Sequence, residues 1–194
     1  MGKVAFTNGI FAVGTQQWLR ENLATTKFND GSSIPNVTNN SEWISTNSGA
    51  YCDYDNNVAN SNKYGRLYNW YAVNDIRKIT PTGWHVPSNQ EWQTMIDFLG
   101  GDDVAGGKIK ETGTNHWLTP NTSATNESGF TALPGGHRDN NALFRSIDIL
   151  GIWWTSSLYN TSNSWRKSVD YNYNRISTNP NDYHFGFSVR CIKD

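Results

Sequence analysis

Two cysteines, four histidines and a scatter of carboxylates are the groups in this chain that could carry chemistry. A thiolate metal site needs ligands clustered within a few residues, and Cys52 and Cys191 lie far apart, so such a site is excluded. They leave two readings open, one long-range disulfide or two buried free thiols, because spacing alone does not decide bridging geometry. His85 and His116 invite a metal or acid–base role, since imidazole titrates near neutrality. Each stands beside a Trp, and no carboxylate or second His has ligand spacing, so a structural role is expected. Asp53-Tyr54-Asp55-Asn56-Asn57 looks like a calcium loop but lacks the glycine and the terminal Glu of an EF-hand. Asp102-Asp103 reads as the opening of a short helix, where carboxylates favour the N-terminal dipole. A glycosidase needs two positioned carboxylates, and nothing singles out a pair among the five Glu, all of which precede residue 129. No catalytic residue, no metal and no cofactor is expected.

The elements that would position these groups follow from periodicity. Short apolar runs such as Gly9-Ile10-Phe11-Ala12-Val13-Gly14 and Gln17-Trp18-Leu19 predict a strand pair near the N-terminus, and Asn29-Asp30-Gly31 a turn. Leu67, Trp70, Tyr71 and Asn74, widened by Tyr68 and Ala72, have helical spacing and predict a buried helix between Tyr64 and Asp75. Ser88 and Glu91 have capping-box spacing, so a second helix is expected from about Asn89 to Leu99. Its face is Trp92, Met95, Ile96 and Leu99, and Gly100-Gly101 stops it. Beyond Gly113 the chain becomes short alternating runs and reads as β. In 164–172, parity puts Trp165, Val169 and Tyr171 on one face and Arg166, Ser168, Asp170 and Asn172 on the other. Phe187, Val189 and Cys191 share a parity, with Ser188 and Arg190 opposite. Helices followed by antiparallel strands give an α+β domain, taken as one unit over residues 1–194.

Composition narrows the function. The formal net charge of -1, without a basic cluster, argues against nucleic acid. No apolar run approaches the roughly 20 residues that span a bilayer, and no signal-peptide core follows Met1-Gly2-Lys3, so no direct membrane insertion is expected. Nine Trp, nine Tyr and eight Phe allow an aromatic core built from few residues. Abundant Asn, Ser, Thr and Gly with few charges is similar to exported bacterial surface proteins.

Several stretches carry a family resemblance: Tyr64-Gly65-Arg66-Leu67-Tyr68-Asn69-Trp70-Tyr71-Ala72-Val73, Gly83-Trp84-His85-Val86-Pro87-Ser88, Ala105-Gly106-Gly107-Lys108, Leu133-Pro134-Gly135-Gly136, Trp153-Trp154-Thr155-Ser156-Ser157 and Gly186-Phe187-Ser188-Val189-Arg190-Cys191. Together they resemble the Fibrobacter succinogenes major paralogous domain family over nearly the whole chain. That resemblance implies a C-type-lectin-like fold of the formylglycine-generating-enzyme type, with two main helices packed on small antiparallel sheets. It does not imply catalysis, because those enzymes need a nearby pair of reactive cysteines and Cys191 stands alone in the C-terminal half. Thr119-Pro120-Asn121 and Asn179-Pro180-Asn181 lack the carboxylate of lectin calcium motifs, so no lectin calcium site is expected.

Residues 129–194 contain no Glu, Gln or Met, whereas residues 1–128 contain five, four and two. At the earlier rate about six would be expected. The residues in their place, Asn, Tyr, Ser, Thr, Asp, His, Arg, Ile, Leu and Phe, are reached when the two adenines of an Asn codon are replaced freely, and Glu, Gln and Met are not. This pattern resembles the variable proteins of diversity-generating retroelements. Leu150 and Ile152 stand where the family resemblance implies Tyr, and Arg145 and Ser146 where it implies Asn. The expected variable surface is 137–185, with candidate contacts His137, Asp139, Arg145, Ile149, Leu150, Ile152, Leu158, Tyr159, Asn160, Asn163, Arg166, Ser168, Asp170, Asn172, Tyr173, Arg175, Ser177, Asn181, Asp182, Tyr183, His184 and Phe185. Tyr159, Tyr173, Tyr183, Phe185 and Arg166 are the candidate anchors, being rigid, large in contact area or forked in charge. The expected function is recognition of a surface protein or glycan of a host or neighbouring cell, from an extracellular position on a bacterial surface or phage virion. An oligomer is compatible with this. A fixed carbohydrate-binding or adhesion module is the alternative.

Overall fold

The computed structural model describes residues 9–194, so the reading of Met1-Gly2-Lys3 lies outside the described residues. The expected strand pair is present: β1 (Ile10–Val13) and β2 (Gln16–Leu19) run antiparallel with Phe11 opposite Trp18. Alternation buries Phe11, Val13 and Trp18. Asn29-Asp30-Gly31 turns the chain, and Asp30 Oδ1 accepts from the Ser32 N–H at 2.9 Å. Next comes α1 (Asn40–Ser45), capped by the Asn39 side chain and burying Trp43.

β3 (Tyr51–Cys52) pairs with β4 (Leu67–Tyr68) across α2 (Val58–Tyr64). The single helix expected over Tyr64–Asp75 is not formed; the stretch is β4 followed by the one-turn α3 (Trp70–Val73). Asn69 is the reason. Its fully buried side chain accepts from the N–H of Ala50 at 2.9 Å and of Ala72 at 3.0 Å, and donates to Ser48 O at 2.9 Å. An Asn held this way caps a helix at the next residue and cannot lie inside one.

After β5 (Trp84–His85), α4 (Asn89–Phe98) forms as expected, with the Ser88–Glu91 capping box closed in both directions and Trp92, Met95 and Ile96 buried. His85 is clamped beside its N-terminus, Nε2 at 2.8 Å from Glu91 Oε1 and Nδ1 at 2.7 Å from Asp194 Oδ1. Burial works against the imidazolium, but the bonds to Asp194 and Glu91 outweigh it and raise the His85 pKa above its usual 6.5. Glu91 is lowered from 4.5: burial opposes ionisation, and the Ser88 N–H and His85 bonds outweigh it. A raised His stabilises below its unfolded pKa and loses that contribution as pH rises through the folded one; a lowered Glu does the reverse. The clamp is therefore strongest between 4.5 and 6.5. H85N is expected to cost up to about 1 kcal/mol near pH 6 and less at pH 8.5, given the partial exposure of the pair. Thermal melts at both pH values check this, and an equal cost at both would refute the linkage.

Gly100 and Gly101, both at positive φ, carry the chain into α5 (Asp102–Ile109). This helix, with Asp102 and Asp103 in its first turn, is the second main helix in place of the expected one. A Cβ on Gly106 would lie 2.4 Å from Arg175 O and 2.8 Å from Asn174 O, and Gly107 N–H donates to Asn174 O at 2.9 Å. Because the clash is with backbone, Gly106→Ala is expected to separate α5 from the 173–175 turn and destabilise by about 1–3 kcal/mol. Urea denaturation would read it, and an unchanged midpoint would show that the turn yields freely.

The remainder is strand: β6 (Gly135–Arg138), β7 (Phe144–Ile147), β8 (Leu150–Leu158), β9 (Asn163–Asp170), β10 (Ile176–Asp182) and β11 (Ile192–Lys193). The named strands pair antiparallel in a four-stranded sheet β1-β2-β11-β5, a three-stranded sheet β10-β9-β8 and two hairpin-sized sheets. The class is α+β with small antiparallel sheets. One face of β10-β9-β8 carries Trp153, Val169 and Ile176 into a core shared with Trp92, Met95, Ala105 and Ile109 of the two main helices. The other face places Ile152 and Trp154 in a second core with Tyr68, Phe187 and Val189.

Residues 186–191 form isolated bridges in place of a continuous last strand, and both of their parities are buried. Phe187, Val189 and Cys191 are buried, but so are Ser188 and Arg190, at 2% and 1% exposure. The segment lies beside β8, with Trp154 N–H donating to Ser188 O at 3.1 Å, while Arg190 points at the carbonyls of Leu19, Arg20 and Phe130. Cys52 and Cys191 are both buried and free, which decides between the two readings of the thiols. Burial pushes each up to about 12.

Candidate functional site

Opposed residues of paired strands project to the same side of a sheet. Leu150 faces Asp170, Ile152 faces Ser168 and Trp154 faces Arg166, while across the next ladder Ser168 faces Ser177 and Arg166 faces Asn179. One face therefore carries Leu150, Arg166, Ser168, Asp170, Ser177 and Asn179 side by side. With Tyr173 and Arg175 from the β9–β10 turn these residues line a concavity of about 180 Å³. All of them except Asn179 were read as contacts from sequence. Asn179 has the parity of Ser177 and Asn181, and that alternation could have found it.

Arg166 is the centre of this face. Its Nε donates to Asn181 Oδ1 at 2.9 Å and its Nη1 to Ser168 Oγ. Burial lowers its pKa to about 10, and among the described residues it has no carboxylate partner. His137, half-buried on β6, stacks on Phe185 with ring centroids 6.0 Å apart, and its buried Nδ1 has no hydrogen bond. Burial, then the Arg166 charge, pushes His137 down to about 4, so this ring is neutral at physiological pH. Arg175 lies over the Tyr173 ring at 5.2 Å. Asp170 Oδ1 accepts from Asn172 N–H at 2.7 Å, and the Lys110 ammonium is anchored below on Asp170 O at 3.0 Å.

A second, larger cavity of about 550 Å³ lies at the other end of β8 and is lined by Trp70, Tyr71, Asn74, Leu158, Asn160, Thr161 and Tyr183. Tyr183 stacks on Trp70 at 4.4 Å and 19°, and its hydroxyl donates to Asn160 O at 2.8 Å. Leu158, Asn160 and Tyr183 were expected contacts. Trp70, Tyr71, Asn74 and Thr161 were not, because Trp70, Tyr71 and Asn74 belonged to a stretch read as a buried helix.

Other expected contacts are placed differently. Ile152 is corrected: at 3% exposure it lies within the second core and cannot touch a ligand. Asp139, 7% exposed, holds the β6–β7 turn by accepting from Asn141 N–H, Leu143 N–H and Arg145 Nε, the last at 2.6 Å. Those bonds keep its carboxyl below the usual range against the opposing effect of burial. Arg145 is exposed, and Ile149 is half-buried in the next turn. Tyr159 packs edge-on against Trp165 at 4.8 Å, on the strand parity opposite Arg166, and Asn160 holds its hairpin through bonds to Ser162 and Asn163. Asn172 is exposed in the β9–β10 turn, and Asp182 Oδ1 binds His184 through its N–H and Nδ1. Among the described residues no three His, Cys, Asp or Glu converge as a metal site, and no helix is long and apolar enough to cross a membrane.

Fold and site together define an α+β domain whose polar and aromatic C-terminal strands form a concave face over a Trp-rich core. The chain belongs to the Fibrobacter succinogenes major domain family, which matches residues 12–193. No curated protein and no solved structure matches it.

Proposed function

We propose that this is a ligand-binding display domain of C-type-lectin-like fold, of the formylglycine-generating-enzyme type, whose 137–185 region is diversified by a retroelement to recognise varied protein or glycan ligands. The observation that carries the reading is convergence: residues chosen from codon chemistry, Leu150, Arg166, Ser168, Asp170, Tyr173, Arg175 and Ser177, line one cavity. Ser146 adds support. It sits at φ 63, a left-handed position that Asn tolerates better than Ser, so its departure from the family's Asn does not serve local folding. The reading places the domain outside the cell, on a bacterial surface or phage virion, without enzyme activity; both thiols are buried and protonated, unlike reactive cysteines.

Sequencing the gene and its flanks across many cells of one culture tests this. The expected result is a nearby near-copy of the 3' coding region, differing from the gene only where the copy has adenine. Invariant codons at Arg145, Leu150 and Tyr183 with no such copy would overturn diversification. One observation favours a second reading, a fixed carbohydrate-binding or adhesion module: the larger cavity combines Tyr71 and Tyr183 rings with the amides of Asn74 and Asn160.

A further inference from the structure

We propose that the Arg166 cavity receives a single carboxylate side chain, Asp or Glu, from a protein ligand. The proposal rests on reading this face as a ligand surface and names what the cavity selects. Two neutral acceptors, Asn181 Oδ1 and Ser168 Oγ, fix the guanidinium through Nε and Nη1. Nη2 donates to no atom of the described residues and is not among the polar atoms sealed from solvent, and Arg166 lines the cavity. A guanidinium held by neutral groups in a partly desolvated cavity keeps its charge unneutralised, and a carboxylate accepting from it forms a short charge-assisted bond. Ser168 Oγ accepts from Arg166, which frees its own O–H to donate to the same guest, and Arg175 adds a second guanidinium at the rim. Asp170 is the one acid in the lining. Its Oδ1 is already engaged by Asn172, and two guanidinium groups stand against its single charge.

A peptide side chain suits the cavity better than an acidic sugar. At about 180 Å³ it holds one small group, flanked by exposed Tyr173 and half-buried Leu150, the amphipathic rim typical of protein contacts. The Arg175 guanidinium lies over the Tyr173 ring and takes up one face on which a sugar ring could stack.

The test is an NMR titration of the ¹⁵N-labelled chain with three probes: the end-blocked tripeptides Ala-Glu-Ala and Ala-Gln-Ala, and N-acetylneuraminic acid. Ala-Glu-Ala is expected to shift the Arg166 Nε–Hε signal and the Ser168 and Ser177 amides saturably, with millimolar affinity. Ala-Gln-Ala should not saturate, and R166Q should weaken the Glu peptide by about tenfold, the loss of one charge-assisted bond. If R166Q does not fold, R175Q at the exposed rim is read instead, with a severalfold weakening expected. No saturation by the Glu peptide, equal response to the Gln peptide, or unchanged binding in the variant would overturn the proposal. Tighter saturation by N-acetylneuraminic acid would overturn the protein source in favour of an acidic glycan. The readout is independent of the sequencing experiment, so a fixed gene with a carboxylate-binding cavity and a diversified gene without one are distinguishable.

Discussion

Replacing Arg190 by Met is expected to cost about 3 kcal/mol or more of stability. The side chain is 1% exposed, and its guanidinium donates to Leu19 O at 3.1 Å, Phe130 O at 2.8 Å, Arg20 O, and Asn22 Oδ1. It also lies over the Phe130 ring at 4.0 Å. Burial pushes its pKa down to about 9, so it stays charged at neutral pH. Met restores most of the volume but none of the donors, leaving several acceptors buried without partners at about 1–3 kcal/mol each. Those acceptors belong to β2, its following loop and the strand-free stretch before β6, which Arg190 ties together. Urea denaturation followed by circular dichroism gives the number. A loss below about 1 kcal/mol would mean that water replaces the guanidinium and that it is not a structural tie.

A pair of variants separates the core from the ligand face. Ile152→Asn is expected to destabilise by about 3–5 kcal/mol, from lost apolar burial of roughly 1.5–3 and a buried amide without a partner of roughly 1–3. Ile152 is 3% exposed and packs in one apolar cluster with Trp154, Phe187 and Val189. Leu150→Asn, two residues earlier on the same strand face, is expected to cost about 1 kcal/mol or less, because Leu150 is half-buried at the wall of the Arg166 cavity. Parallel denaturation curves decide it. Equal tolerance at both positions would return Ile152 to the contact set; the expected contrast confines variation at this strand to residues reaching the cavity.

What could be read without a structure was local or alternating. The Ser88–Glu91 box closes over three residues, so its hydrogen bonds are implied by types and spacing alone, and α4 formed where they put it. Strand parity is equally local: Arg166, Ser168 and Asp170 had to share a side of β9 once 163–170 was a strand. Codon chemistry then chose, from that side and its turns, most of the residues that line the concavity.

Tertiary structure decided what depends on distant partners. Asn69 ended the expected helix because Ser48 and Ala50 receive its side chain, and neither is a helical neighbour. Arg190 and Lys110 are buried because carbonyls from remote segments surround them, although charge alone assigns both to solvent. Leu150 and Ile152 have the same parity and similar apolarity, so the sequence by itself makes them equivalent. Only the packing of 186–190 over one end of the sheet buries Ile152 and leaves Leu150 at the cavity wall. The larger cavity has the same origin, since Trp70 and Tyr183 meet through the fold and no spacing rule links them.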